Sequence, residues 1–344
     1  MSRRKIRLWT IVAPAWIACA VASAEEKKPV ATDPAEAGPD FKIQGEYAGE
    51  LTIKDVKTKV AIQVIAVGKG EFQAVGYEGG LPGAGARKLS PKTAKGKLED
   101  GAVTLRHDDG TPGVGIIKDG VISVHDGDGT LVTELKKVER KSETLGAKPP
   151  PGAVVLFDGT TADAFEGALL TKDKTLTPDP KKPGAESRRT FRSCTVHVEF
   201  RTPFMPSDEE QARGNSGVYL QGRYEVQVLD SFGIEARGKT AREGDCGGMY
   251  SVAPPDVNMC FPPLSWQTYD IEFTAAEFDP TGKIKVKPAK MTVRHNGVVV
   301  HKDRVVDHAT TAHIHEEGPE PKGLFLQNHG CPVQYRNVWV VEKP

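Results

Sequence analysis

From Phe41 onward the chain is written in short runs of alternating apolar and polar residues, broken by Gly, Pro and Asp-Gly. No segment carries an apolar stripe at helical spacing over more than two turns. Strands with one face in a core and the other in water alternate in this way, so the pattern predicts an all-β protein. The runs fall into two sets. Residues 41–138 ("YAGELTIKDV", "KVAIQVIAVG", "AVTLRHDDG") predict a small all-β domain, and residues 153–344 a larger two-sheet antiparallel sandwich. Between them, residues 139–152 combine charge with three consecutive prolines and read as a stiff, solvated linker. "HDDGT" and "HDGDGT" lack the spaced acceptors and closing Glu of a calcium loop and read as hairpin turns.

The first 24 residues read as an export signal. Arg3, Arg4, Lys5 and Arg7 precede an apolar run from Leu8 to Val21, and Ala22-Ser23-Ala24 offers a cleavage site. The expected location is periplasmic or extracellular, with lipid attachment at Cys19 as a second route and no transmembrane span in the mature chain. Residues 25–40, polar and rich in Pro and Ala, read as a flexible leader. Lys plus Arg and Asp plus Glu are 46 each, so no net charge draws the chain to nucleic acid. Export leaves Cys194, Cys246, Cys260 and Cys331 where disulfides are permitted; Cys246 and Cys260 bracket a Gly- and Pro-rich loop and are bridged to each other, paired otherwise, or buried free thiols.

The chemistry concentrates in "GRYEVQVLDS", residues 222–231. In a regular strand Glu225 and Gln227 face one way, while Tyr224, Val226, Val228 and Asp230 face the other. A one-residue bulge after Gln227 would bring Asp230 onto the Glu225 face. The spacing E-x-Q-x-x-D is similar to the E-x-D-x-x-E of laminarinase-like β-glucanases, with an amide in place of the middle acid. "GNSGVYLQG" places Asn215 and Tyr219 nearby, and "LFLQNHG" supplies Gln327 and His329, an imidazole able to exchange protons near neutral pH. Arg223, Arg336, Trp266 and Tyr269 add the cations and aromatic rings that suit a carbohydrate. The H-x-H pair His313 and His315, beside Glu316 and Glu317, reads as a solvated loop, and no metal is assigned; participation of a divalent cation stays open. No G-x-S-x-G elbow, phosphate loop or dinucleotide fingerprint is present.

Taken in order, "LFDGTTADAF", "CTVHVEFRTP", "GNSGVYLQGRYEVQVLDS", "PPLSWQTYDIEF", "MTVRHNGVVV" and "LFLQNHGCPVQYRNVWV" resemble the 3-keto-disaccharide hydrolase domain family from about Val155 to Val341. The resemblance implies a concanavalin-like jelly roll that acts on sugars whose C3 hydroxyl has been oxidised to a ketone. On that implication Glu225 is the acid or base, His329 its counterpart, and Asp230 orients His329 or a cation. Asn215, Tyr219, Arg223, Gln227, Gln327 and Arg336 would hold the sugar. A non-catalytic lectin-like module and a glucanase acting on unoxidised chains are the alternatives.

Overall fold

A computed structural model describes residues 28–53, 55–87 and 92–343. The export signal and Cys19 lie outside the described residues.

The N-terminal set of runs folds as eight strands: β1 (Gly45–Ile53), β2 (Val56–Gly68), β3 (Glu71–Glu78), β4 (Lys92–Glu99), β5 (Ala102–His107), β6 (Val114–Lys118), β7 (Val121–His125) and β8 (Leu131–Val138). Each pairs antiparallel with the next, and β8 returns to β1 through Glu46↔Val138 and Tyr47↔Lys137, closing a barrel. Closure leaves no strand edge unpaired. Val64, Phe72, Val103, Leu105, Ile117 and Leu135 fill the interior. The two Asp-Gly sequences are turns, as expected: Asp126 Oδ1 accepts from the backbone of Asp128 and Thr130, and Asp109 Oδ1 from Thr111.

From residue 28 on, the reading of residues 25–40 as a flexible leader needs correction. Ala31 exchanges two backbone hydrogen bonds with Phe204 of the second domain, at 3.0 and 2.9 Å. A helix, α1 (Gly38–Ile43), then caps one end of the barrel, where Ile43 O accepts from the Tyr47 hydroxyl at 2.6 Å. Its Phe41 packs edge-on against Phe204. Polar composition concealed an anchor made mostly of backbone bonds and one aromatic ring.

The second domain contains β9 (Val154–Phe157), β10 (Phe165–Glu166), β11 (Ala168–Leu170), β12 (Leu176–Pro178), β13 (Gly184–Phe191), β14 (Cys194–Arg201), β15 (Ser216–Leu220), β16 (Tyr224–Val228), β17 (Gln267–Thr274), β18 (Glu277–Phe278), β19 (Lys285–Lys287), β20 (Ala289–His295), β21 (Val298–Val306), β22 (Lys322–Gln327) and β23 (Gln334–Glu342). The smaller sheet runs β10-β13-β22-β15-β16 and the larger β11-β12-β23-β14-β17-β20-β21, with β9 also on β23. Val218, Val226 and Leu326 from the first sheet meet Val198, Phe200, Ile271 and Val340 from the second in one core, the two-sheet sandwich that the alternation predicts and the jelly roll that the family resemblance implies.

The linker is not solvated along its length. Ser142 is buried against Thr268, the Gly146 amide donates to Glu199 Oε1 at 2.6 Å, and Ala147 O accepts from Asn337 and Trp339. Near its start, Arg140 grips Glu46 of the barrel through Nε and Nη2 and stacks over Phe261 of the jelly roll. The tail of the β16 strand completes the join. Gly233 sits at φ 60°, and a Cβ there would fall 2.4 Å from Ile65 Cδ1 of the barrel. Cys246 and Cys260 are buried and in contact, as free thiols; burial pushes the Cys260 thiol well up.

Candidate active site

A tight turn sets the register of the site. Gln221 and Gly222 both have positive φ, 56° and 58°, and the Arg223 amide returns to Leu220 O, so β15 and β16 form a hairpin of the primed type. Their pairing runs without a shift from Ser216↔Val228 to Leu220↔Tyr224, which puts Tyr219 opposite Glu225 and Gly217 opposite Gln227. Across the sheet the row continues from Tyr219 to Phe325 on β22 and Glu186 on β13. The other face of these strands is Val218, Val226 and Leu326, the core.

Glu225 is only 2% exposed. Burial raises its pKa from 4.5 to about 8, against the opposing pull of its hydrogen bond with Tyr219. Burial, and then the Glu225 charge, pushes the Tyr219 phenol up as well, so Tyr219 stays a neutral donor. Its hydroxyl also accepts from Gln327 Nε2 at 3.0 Å. Gln227 donates to Gln211 Oε1 and Gly244 O, and Asn215 to Gln211 O and Oε1. The oxygens Gln227 Oε1 and Asn215 Oδ1 are buried with no donor, and such acceptors favour a ligand hydroxyl.

Two segments far along the chain lie over the free edge of β16. Residues 247–249 pair with Gln227 and Val226. Thr310 Oγ1 accepts from the Glu225 amide at 2.9 Å, and Thr311 O lies 3.3 Å from the Tyr219 hydroxyl. Thr310, Thr311 and Gln211 carried no legible sequence signal. Gly217 did, because a glycine inside a strand marks a close approach. A Cβ at Gly217 would lie 2.2 Å from Glu225 Oε1 and 2.7 Å from Tyr219 Cε2. Gly217→Ala is therefore expected to displace the Glu225 carboxyl and lower any Glu225-dependent turnover by about 100-fold, with far-ultraviolet circular dichroism unchanged.

Other sequence candidates lie elsewhere. The strand does not bulge, and Asp230, beyond its end, pairs with the buried Arg213 at 2.6 Å and accepts from the Phe232 amide. Asp230 orients Arg213 rather than His329. Arg223 is buried, and its guanidinium donates to Gln221 and to the carbonyls of Glu316, Gly318 and Glu320, tying down the loop after Thr310. Arg336 is on the opposite sheet, bonded to Glu199 Oε2 at 2.7 Å. His329 is exposed in the turn after β22. His313 and His315 do not converge: one bonds Thr310 O, the other Glu186. Among the described residues no group of three His, Cys, Asp or Glu is placed to hold a metal. Tyr269 is a core residue whose hydroxyl donates to Gln227 O.

Comparison with solved structures finds three crystal structures of candidate glycosyl hydrolases from Parabacteroides distasonis. One is 32% identical, covers 56% of this chain and 85% of its own, and superposes with a TM-score of 0.51. The second and third are 14% and 15% identical, cover 56% of this chain and 94% and 99% of their own, and have TM-scores of 0.41 and 0.38. No curated protein matches the chain. The model of the 3-keto-alpha-glucoside-1,2-lyase-like domain matches residues 152–341, which span the whole jelly roll and both strands of the Glu225 hairpin. The chain belongs to the 3-keto-alpha-glucoside-1,2-lyase-like domain family.

Proposed function

We propose that the jelly roll cleaves glycosides whose C3 carries a ketone, outside the cytoplasm, with Glu225 as the base. The observation that carries the reading is a single buried carboxyl raised to about 8, set among amides and a neutral tyrosine. A ketone at C3 acidifies the C2 proton, so one well-placed base suffices. Glu225 takes that proton and the C2–H electron pair forms an enolate. The enolate collapses to restore the C3 carbonyl, a C1=C2 double bond forms, and the C1–O bond breaks. The departing oxygen takes the proton back from Glu225, and water then adds across C1=C2 to release the 3-keto sugar. Asn215 Oδ1 and Gln227 Oε1 accept sugar hydroxyls, and Gln327 donates to the C3 oxygen. Tyr219 steadies the carboxylate. We assign His329 no more than a contact at the rim.

The geometry weighs against a glucanase acting on unoxidised chains. The other carboxyl in the Glu225 row is Glu186, three strands away, roughly 14 Å at ordinary strand spacing. Paired-carboxylate hydrolysis needs separations of about 5–10 Å.

The test is turnover of a 3-keto-disaccharide and of its unoxidised parent, with and without chelator. Release of the 3-keto monosaccharide from the oxidised substrate alone is the expected result. Binding without release would make the domain a lectin, and cleavage of the parent would make it a glucanase.

A further inference from the structure

A cleft of about 930 Å³ opens on the outer face of the larger sheet, on the opposite layer from Glu225. It is composite. Arg201, Trp266 and Arg336 form its floor, Asp158 and Asp173 lie on loops of the jelly roll, and the linker at 146–149 walls one side. That wall is held in place by the Gly146–Glu199 and Ala147–Asn337 hydrogen bonds, so the cleft needs the linker as well as the jelly roll.

The lining carries as many acids (Asp33, Asp158, Asp173 and Glu199) as bases, and what favours an anion is the set of guanidinium donors on the floor that those acids leave unused. Arg201 lies diagonally across the β14–β23 pairing from Arg336, since Glu199 faces Arg336 and Arg201 faces Gln334. Each guanidinium is fixed through one nitrogen only: Arg201 Nε donates to Gln334 Oε1 at 2.6 Å, and Arg336 Nε to Glu199 Oε2 at 2.7 Å. Their four Nη groups make no hydrogen bond among the described residues and border the cleft. Burial, and the neighbouring Arg336, hold the Arg201 pKa below its usual value, while Asp173 and Asp33 oppose that shift. Two like charges kept side by side with unused forked donors suit a carboxylate. Both guanidiniums also lie over the Trp266 ring, at 5.0 and 4.1 Å from its centre, which holds them in place at the cleft floor. Thr160, Thr175 and Asn337 line the cleft with hydroxyl and amide groups, and the volume takes two or three sugar rings.

We infer that this cleft is a second, non-catalytic carbohydrate site that takes a glycan bearing a carboxylate, such as a uronic-acid oligosaccharide. It holds a chain on the back of the jelly roll, on the opposite layer from Glu225.

The test is calorimetric titration of the full mature chain with trigalacturonate, with a neutral trisaccharide and with sodium sulfate as comparators. Trigalacturonate is expected to bind saturably, at least about tenfold more tightly than the neutral sugar or sulfate, and to weaken with salt. Arg201→Gln, which keeps an amide beside Gln334, and Trp266→Ala are each expected to weaken it by about tenfold or more, whereas Glu225→Gln leaves it unchanged. Equal affinity for the neutral trisaccharide, or for sulfate alone, overturns the proposal. So does trigalacturonate binding that survives both cleft substitutions. A thermal melt on each variant ensures that loss of binding is read only on folded protein.

Discussion

Glu225→Gln is expected to lower turnover of a 3-keto-glycoside about a thousandfold, the usual worth of a general base, while the substituted protein gains stability at alkaline pH. The sign of the second effect follows from the pKa. Glu225 ionises near 4.5 when unfolded and near 8 when folded, so the folded state holds its proton more tightly. Below pH 4.5 both states are protonated and nothing is lost. As pH rises from 4.5 to 8 the unfolded chain ionises while the folded one resists, and stability falls, by on the order of 5 kcal/mol. The amide that replaces the carboxyl cannot ionise, so melts of the two proteins should coincide near pH 4 and separate by several degrees at pH 8.5, the variant being the more stable. Equal melting at both pH values would mean that Glu225 is not held in a dry site. Full turnover by the variant would remove it from the chemistry.

Asp230→Ala is expected to cost about 3–5 kcal/mol, because it leaves the Arg213 guanidinium charged and buried. Arg213 is 1% exposed, and its remaining contacts are weak ones, 3.3 Å to Ala66 O of the barrel and 3.4 Å to Pro206 O. Removing both charges, as Asp230→Leu with Arg213→Met, should recover most of the loss, since an apolar pair replaces an ion pair without a stranded charge. Chemical denaturation of the single and double variants measures this. If Asp230→Ala instead melted like the wild type and lost turnover, Asp230 would belong to the reaction and not to the fold.

The same ion pair shows where sequence reading stops. Alternation alone placed Glu225 and Gln227 on one face and the valines on the other, and the unshifted hairpin agrees. The partner of Asp230 lies 17 positions earlier and had no pattern to announce it. Arg336 misled for a related reason. It closely follows Gln327, Asn328 and His329 in sequence, but the chain crosses from the smaller sheet to the larger between β22 and β23 and carries it to the far side of the molecule. The cover over β16, from residues 247–249 and from Thr310, comes from loops without periodicity, and loops of that kind are placed by partners far away in the chain. The leader failed in the opposite sense, because backbone bonds such as Ala31 to Phe204 need no particular side chain.

The anchoring of the barrel at both of its ends has a consequence for how the two halves of the chain stay together. Ala31 is fastened to Phe204 ahead of the first strand, and Gly146 and Ala147 to Glu199 and Asn337 after the last. Any further contact between barrel and jelly roll is then made at the high effective concentration of a doubly tethered ligand. A single proteolytic cut in the linker would leave the fragments associated, and weak contacts such as Tyr77 with Glu235 can persist without strength of their own.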